Sequence, residues 1–168
     1  MSYSTPVLGF TATSGTGKTT LMETVIAQLS QEGIRIAAIK HGHHPADPDI
    51  PGKDTHRFRQ AGAETVMFAS KERWFMIQEL QKREEPTLTQ QIERLSDHDL
   101  ILVEGYKNDK HPKIVLHRAG VSDAKFYLKL SNVVALATDD PNIVADIPLL
   151  PISNPAEVSQ FIKELFNF

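Results

Sequence analysis

Short apolar runs alternate with segments of helical periodicity along most of the chain. Val7–Thr13 is a mostly apolar run that ends at a glycine-rich turn, as buried parallel strands often do. In the segment that follows, apolar residues recur every three or four positions, which predicts a helix that ends at Gly33. Ile34–Ile39 is a second apolar run. Strand, turn, helix and strand together predict a βαβ unit and therefore a parallel sheet.

The rest of the chain continues this pattern, with two interruptions. Lys40–Lys53 contains three prolines and two glycines, which predicts a long loop. Thr65–Ala69 and Arg73–Ile77 predict two strands joined by a tight polar turn, an added β-hairpin. Further strands are predicted at Leu100–Val103, Ile114–Leu116, Asn132–Ala137 and Pro148–Ile152, and further helices at Asp54–Ala61, Leu88–Leu95 and from Pro155 onward.

The turn after the first strand carries a phosphate-binding motif, Ser14-Gly15-Thr16-Gly17-Lys18-Thr19-Thr20. Glycines let backbone N–H groups come close to phosphates, and the helix that follows adds the positive end of its dipole. We expect Lys18 to reach the terminal phosphates and the Thr19 hydroxyl to bind Mg²⁺. Ala12 stands where the full motif has a glycine, but a chance turn is disfavoured because strand and helix flank the motif on the correct sides.

These patterns predict the fold class. An alternation of strands and helices around a phosphate-binding turn predicts an α/β protein with the P-loop NTPase fold, a mostly parallel sheet flanked by helices and the added hairpin. No internal repeat or linker divides the sequence, so we predict one nucleotide-binding domain over residues 1–168.

A carboxylate for magnesium follows a later strand. In Asp99–Glu104, four apolar residues precede Glu104, which places this carboxylate at the carboxyl end of a buried strand. Ligands of open α/β sheets bind at that edge, so we expect Glu104 and Lys18 to converge there as the catalytic pair. Glu104 would hold Mg²⁺ or its waters, with Thr19 as the second metal ligand. An ordinary strand followed by a solvated glutamate is the alternative.

Residues for fast hydrolysis are not evident in the sequence. Nothing in it resembles the glutamine that orients water or the arginine finger that neutralises charge in fast hydrolases. We therefore expect slow turnover.

A histidine-rich loop follows the second strand. His43 and His44, with a nearby carboxylate, could bind zinc or nickel, although their spacing matches no standard site. The other possibility is that this loop contacts an anionic ligand or completes the magnesium shell. The residues for that role are Lys40, His41, Lys53 and Asp54.

Composition narrows the class of protein. The 168 residues include no cysteine, which excludes disulfides and thiolate sites, and the net charge of −3 argues against a nucleic-acid binder. No stretch approaches the roughly 20 apolar residues that cross a bilayer, so we expect no membrane partner. The first residues lack the basic and apolar regions of a signal peptide, which favours a cytoplasmic protein.

The order and spacing of several motifs resemble the molybdopterin-guanine dinucleotide biosynthesis protein B (MobB) family over nearly the whole chain. The matching segments are Ser14–Thr20, Ile39–His44, Pro51–Thr55, Ala61–Ala63 and Leu102–Lys107. The combination of Lys-His-Gly-His-His with Val-Glu-Gly-Tyr-Lys is more specific than the P-loop alone.

The resemblance implies a homodimeric GTP-binding protein that acts as a weak GTPase or adapter. Its partner would be the molybdenum cofactor guanylyltransferase, which joins GMP to molybdopterin, and molybdopterin itself is a further possible ligand. Nucleotide binding would fall on Gly15, Gly17, Lys18, Thr19 and Thr20, and the acidic role on Glu104.

Guanine recognition has no standard motif here. Many GTPases select guanine with Asn-Lys-x-Asp, which the sequence lacks. Asp139, in Thr138-Asp139-Asp140 after a strand of the right kind, could accept hydrogen bonds from guanine. The alternative is an acidic turn before Pro141.

Two other functions stay open at this point. A small-molecule kinase would share the P-loop, but its lid would be the loop Tyr106–Lys113, which offers lysines and no arginine. A metallochaperone GTPase is suggested by the histidines.

Trp74 and Phe75, adjacent on the hairpin, suggest a dimer surface, because side chains alternate across a strand and one ring should face outward. Otherwise both rings would pack under the helix Leu88–Leu95.

Overall fold

The computed structural model describes residues 3–42 and 46–168, which form two compact units. The larger unit contains the chain up to His41 and from Leu88 onward, and the smaller runs from Gly42 to Thr87. The assignment of all 168 residues to one domain stays a prediction.

The secondary structure follows the predicted order. In chain order the elements are β1 (Val7–Thr11), α1 (Lys18–Gln31), β2 (Ile36–Lys40), α2 (Asp54–Gln60), β3 (Thr65–Ala69), β4 (Trp74–Gln78), α3 (Leu88–Glu93), β5 (Leu100–Glu104), β6 (Lys113–His117), β7 (Val133–Thr138), β8 (Leu149–Pro151) and α4 (Pro155–Phe166). A 3₁₀ turn at Phe126–Lys129 was not anticipated.

The larger unit is built on a parallel sheet. Six strands lie in the order β2-β5-β1-β6-β7-β8, and all five neighbouring pairs are parallel. The predicted α/β fold with a parallel sheet is confirmed. This order places the P-loop strand β1 between β5 and β6, so the segments after those two strands flank the phosphate-binding turn.

Two apolar clusters hold helices against the sheet. On one face, Leu8 and Phe10 of β1 pack with α1 and α4, where Val25 and Ile162 are fully buried. On the other face, Val7 packs in a cluster that includes residues of β5 and α3. Alternate residues of one strand thus serve opposite faces, as the two-residue period of a strand requires. Because every β1 residue is buried, the first residue of the P-loop is anchored to the core of the larger unit.

Lys113 differs from the expectation that it is one of the lysines that a kinase-type lid would offer. It is the first residue of β6 and is 0% exposed. Its ammonium group donates to the carbonyl oxygens of Asp109 (2.8 Å), His111 (2.9 Å) and Ser131 (2.8 Å). Burial lowers the pKa of Lys113, partly offset by the charge of Asp109. This lysine fastens two loops to the sheet and is not available to a lid.

His111 is buried beside Lys113. Its burial, and secondarily the charge of Lys113, lower its pKa to about 4, so the ring is neutral at pH 7. A Cβ on Gly9 would lie only 2.3 Å from His111 Nε2, which explains a glycine in the central strand.

The smaller unit contains the predicted hairpin. β3 and β4 pair antiparallel from Thr65↔Gln78 to Ala69↔Trp74, with the second strand one residue later than predicted. Phe68 and Phe75 stack across the pair with ring centroids 5.3 Å apart.

The other face of the hairpin is apolar and exposed. Met67, Met76 and Trp74 share this face, and they are 62%, 44% and 67% exposed. Of the two adjacent aromatic rings, Trp74 is therefore the more exposed; Phe75, on the opposite face with Phe68, is 38% exposed.

Among residues 3–42 and 46–168, no helix has the length and apolar character needed to cross a bilayer.

Candidate functional site

The P-loop forms a tight turn between β1 and α1. Gly15 and Gly17 have positive φ angles of 82° and 87°, which only glycine adopts readily. The buried Thr16 hydroxyl closes the turn by donating to the Thr13 carbonyl oxygen at 3.0 Å. Ala12, the one departure from the motif, packs against the core beneath the turn.

The turn leaves its polar residues open to ligand. Gly17 caps α1 at its N-terminus, and Lys18 is the first residue of that helix. Ser14, Thr19 and Thr20 are exposed. The positive end of the α1 dipole and the glycine backbone thus face the region where an anion would bind.

Lys18 and Glu104 meet at the carboxyl edge of the sheet. The Lys18 ammonium group donates to Glu104 Oε1, and Lys40 Nζ lies 3.5 Å from Oε2. Burial by itself raises the pKa of Glu104, but the hydrogen bond and charge of Lys18, with the charge of Lys40, outweigh it. The net pKa is lowered, so the carboxylate is ionised at pH 7.

Strand register explains this convergence. Glu104 is the last residue of β5, and it pairs with Phe10 of β1 on one side and with Lys40 of β2 on the other. The strand ends therefore bring Glu104 beside both the P-loop and Lys40. Of the residues predicted for the loop, Lys40 places its side-chain ammonium group beside the Glu104 carboxylate.

These residues suit a magnesium-bound nucleoside triphosphate. An ionised carboxylate and the exposed Thr19 hydroxyl are hard oxygen ligands of the kind that Mg²⁺ takes. Lys18 and the glycine turn supply positive charge and backbone donors for phosphates.

The histidine loop begins with a packed residue. The His41 ring stacks on Tyr106 with centroids 4.4 Å apart, and its backbone N–H donates to the Glu104 carbonyl oxygen at 2.9 Å. Gly105 has a φ of 101°, and a Cβ there would lie 2.9 Å from His41 Cβ. The Glu-Gly-Tyr segment therefore needs its glycine to let His41 pack. His43 and His44 lie outside the described residues.

The carboxylates after the histidines are engaged by an arginine of the smaller unit. Arg59 donates to Asp47 Oδ1 at 2.8 Å, to Asp49 Oδ2 at 3.2 Å and to Glu79 at 2.7 Å. The hydrogen bond from Arg59 is the main cause that lowers the pKa of Asp47. Lys53 precedes the first residue of α2, Asp54, which lies 3.9 Å from Arg57. In the part of the chain that the structure describes, no three His, Asp or Glu residues are grouped to hold a metal ion.

Asp139 lies after β7 with its carboxylate already in contact with protein groups. Oδ1 accepts the Ala119 backbone N–H at 2.8 Å, and Oδ2 is 3.6 Å from Arg118 Nε. Its contact with guanine stays a prediction.

Arg118 is a residue that the sequence analysis missed. It follows directly after β6, and its Nη2 lies 3.3 Å from where a Cβ on Gly17 would stand. The available signal was an arginine at the carboxyl end of an apolar strand, at the edge where such sheets bind ligands.

The parallel sheet, the glycine turn and the Lys18–Glu104 pair define a P-loop protein of the α/β class. HypB from Helicobacter pylori, solved in complex with nickel, has a similar fold, with a TM-score of 0.51 at 15% identity over 98% of this chain and 88% of that one. At this identity the likeness shows the fold alone.

Sequence comparisons place the chain in one family within this fold class. The family model for molybdopterin guanine dinucleotide synthesis protein B (MobB) matches residues 7–139, and the chain belongs to this family. It is 42% identical to the molybdopterin-guanine dinucleotide biosynthesis adapter protein of Escherichia coli (strain K12), over 95% of this chain and 92% of that one. The crystal structure of a molybdopterin-guanine biosynthesis protein B aligns with a TM-score of 0.75 at 25% identity, over 95% of this chain and 99% of that one.

Proposed function

We propose that this protein is a GTP-binding adapter with slow GTPase activity. It assists the guanylyltransferase that attaches GMP to molybdopterin in molybdenum cofactor biosynthesis. The observation that carries the proposal is the Lys18–Glu104 pair beside the glycine turn, within a MobB-family chain.

Each residue has a role in this proposal. The backbone of Ser14–Thr20 binds the phosphates, and Lys18 exchanges its contact with Glu104 for the terminal phosphates. Glu104 and the Thr19 hydroxyl would hold Mg²⁺, which would supply positive charge to the phosphates. In the structure, Glu104 balances the charges of Lys18 and Lys40.

Neither alternative function gains support. A kinase would need Lys113 in its lid over the phosphates, but Lys113 is buried. A metallochaperone would need carboxylates that can bind the metal ion, but Asp47 and Asp49 accept hydrogen bonds from Arg59. The likeness to HypB concerns the fold only.

Nucleotide titration tests the proposal. We expect the purified protein to bind GTP with Mg²⁺ at least about tenfold more tightly than ATP, because the proposed partner reaction consumes a guanine nucleotide; tenfold corresponds to about 1.4 kcal/mol. Calorimetry with GTP and ATP, each with and without Mg²⁺, measures this directly. Turnover should stay below about 1 per second, the low end of ordinary enzyme rates.

Glu104→Gln is the matched variant for this titration, since it keeps the shape and removes the charge. It should weaken the Mg²⁺-dependent part of GTP binding more than the part measured in EDTA. Equal affinity for ATP and GTP, or rapid hydrolysis, would contradict the proposal.

We also propose that the protein is a homodimer that uses the exposed hairpin face of Met67, Trp74 and Met76. A two-stranded hairpin is marginally stable alone. Large apolar side chains exposed together on one of its faces are typical of a protein–protein interface. A second copy offers the same face, which suits a two-fold interface.

Replacing Trp74 with serine tests the dimer. Because buried Trp residues often dominate interfaces at about 2 kcal/mol or more, the dimer dissociation constant should rise at least about tenfold. Light scattering across micromolar concentrations measures it. Leu128→Ser is the control, since Leu128 is similarly exposed at 65% but lies elsewhere. A wild type that is monomeric throughout, or equal effects of the two variants, would refute the proposal.

A further inference from the structure

Arg118 lies on the opposite side of the P-loop strand from Glu104. In the sheet, β1 has β5 on one side and β6 on the other, so the segment after β6 borders the P-loop as Glu104 does. β7 comes next, and His117 of β6 pairs with Thr138 of β7. Arg118 and Asp139, one residue further along each strand, are therefore neighbours by register.

The backbone at Arg118 is held in a closed turn. Its N–H donates to Ser122 Oγ at 2.9 Å, and its carbonyl oxygen accepts the N–H groups of Val121 and Ser122, each at 3.1 Å. The Ser122 hydroxyl also contacts Nδ1 of the buried His117 at 2.8 Å. The base of the Arg118 side chain is thus fixed relative to the sheet.

The guanidinium group extends from this turn to the start of α1. Its Nη2 borders Gly17, and the side chain lines a cavity of about 210 Å³ beside the first turns of that helix. The cavity is also lined by Gly17, Thr20, Thr24, Ile152 and Pro155. This is the side of the P-loop away from the Lys18–Glu104 contact, since Glu104 lies on β5 and Arg118 follows β6.

The contact between Arg118 and Asp139 is loose. Nε is buried and has no hydrogen-bond partner among the described residues, because Asp139 Oδ2 is 3.6 Å away. The side chain as a whole is 42% exposed, and a pair this long and this exposed contributes little by itself. A guanidinium with unused donors, aimed at a phosphate-binding turn, is suited to bind an anion in a two-pronged contact.

We infer that Arg118 contacts the α- and β-phosphates of the bound nucleotide and that Asp139 positions it. This inference rests on the proposed function, since it adds a residue to the same nucleotide site. The α- and β-phosphates are assigned to Arg118 because Lys18 serves the terminal phosphates, whereas Gly17, which borders Arg118, belongs to the turn whose backbone holds the inner ones.

The assignment changes what Asp139 is expected to do. A carboxylate that reads guanine would affect GTP and not ATP. A carboxylate that positions Arg118 affects every nucleotide with α- and β-phosphates and leaves the choice of base unchanged.

Binding of GTP, GDP and ATP to variants tests the inference. Arg118→Gln should lose at least about tenfold in affinity for both GTP and GDP, the size of a charge-assisted hydrogen bond. Arg118→Lys should recover part of the loss, because it keeps the charge without the fork. Asp139→Asn, which retains an acceptor for the Ala119 N–H, should lose about threefold for all nucleotides in the wild-type background. It should lose nothing further when combined with Arg118→Gln.

The outcomes separate this inference from the proposed function. If the wild type binds neither GTP nor GDP, both are overturned. If the wild type binds and Arg118→Gln binds as tightly, with the same melting temperature, only the inference is overturned. A loss confined to GTP would move Arg118 to the γ-phosphate and refute the α/β assignment. A change in the GTP-to-ATP ratio for Asp139→Asn would refute the positioning role.

Discussion

Lys18→Ala is expected to abolish useful GTP binding, with an affinity loss of at least about 100-fold, or about 2.7 kcal/mol. The Lys18 ammonium group is the charge that we expect nearest the terminal phosphates, and its removal leaves the negative charge of Glu104 without its main partner. Lys40, at 3.5 Å from Glu104, compensates only in part and cannot replace Lys18 in the turn.

Calorimetry with GTP and Mg²⁺ measures this loss, and a guanylyltransferase assay measures its consequence. Added wild type should increase the formation of the guanine dinucleotide from molybdopterin and GTP, whereas Lys18→Ala should not. Lys107→Ala is the control, because it removes an exposed lysine from the neighbouring loop. An affinity within threefold of wild type would contradict the assigned role of Lys18.

Lys113→Met should produce the largest loss of stability, about 3 kcal/mol, because three hydrogen bonds of the buried ammonium group are lost and each contributes about 1 kcal/mol. Three carbonyl oxygens share the Lys113 ammonium group, and methionine fills the volume without donating to any of them. For a chain of this size that loss lowers the melting temperature by roughly 6–12 °C.

Urea unfolding followed by circular dichroism measures the change. Lys110→Met is the matched control, since Lys110 is an exposed lysine of the same loop and should change stability by less than about 0.5 kcal/mol. If Lys113→Met unfolds within 1 kcal/mol of wild type, the three hydrogen bonds do not anchor the loops.

Much of the fold was predictable because its signals are local. Apolar runs marked the strands, and the helical spacing of residues such as Val25 marked α1. The P-loop was also predictable, since its glycines and Lys18 are consecutive in the chain. Glu104 could be placed beside Lys18 because the carboxyl ends of parallel strands share one edge of the sheet.

Other features depended on which strands are neighbours. Lys113 follows a polar loop and looks exposed in sequence, but the loop carbonyls around it make burial possible. No sequence motif marked Arg118, because Arg118 borders the P-loop only as a result of β6 lying next to β1.

The sequence by itself determined the class of elements, the phosphate-binding turn and the place of Glu104 at the end of a buried strand, because each rests on contiguous residues or on the polarity of a strand end. Only the tertiary structure decided that Lys113 is buried, that Asp139 contacts Ala119 and Arg118, and that Arg118 borders Gly17. The physical reason is that these contacts join segments far apart in the chain, and the strand order that brings them together is set by packing of the whole sheet.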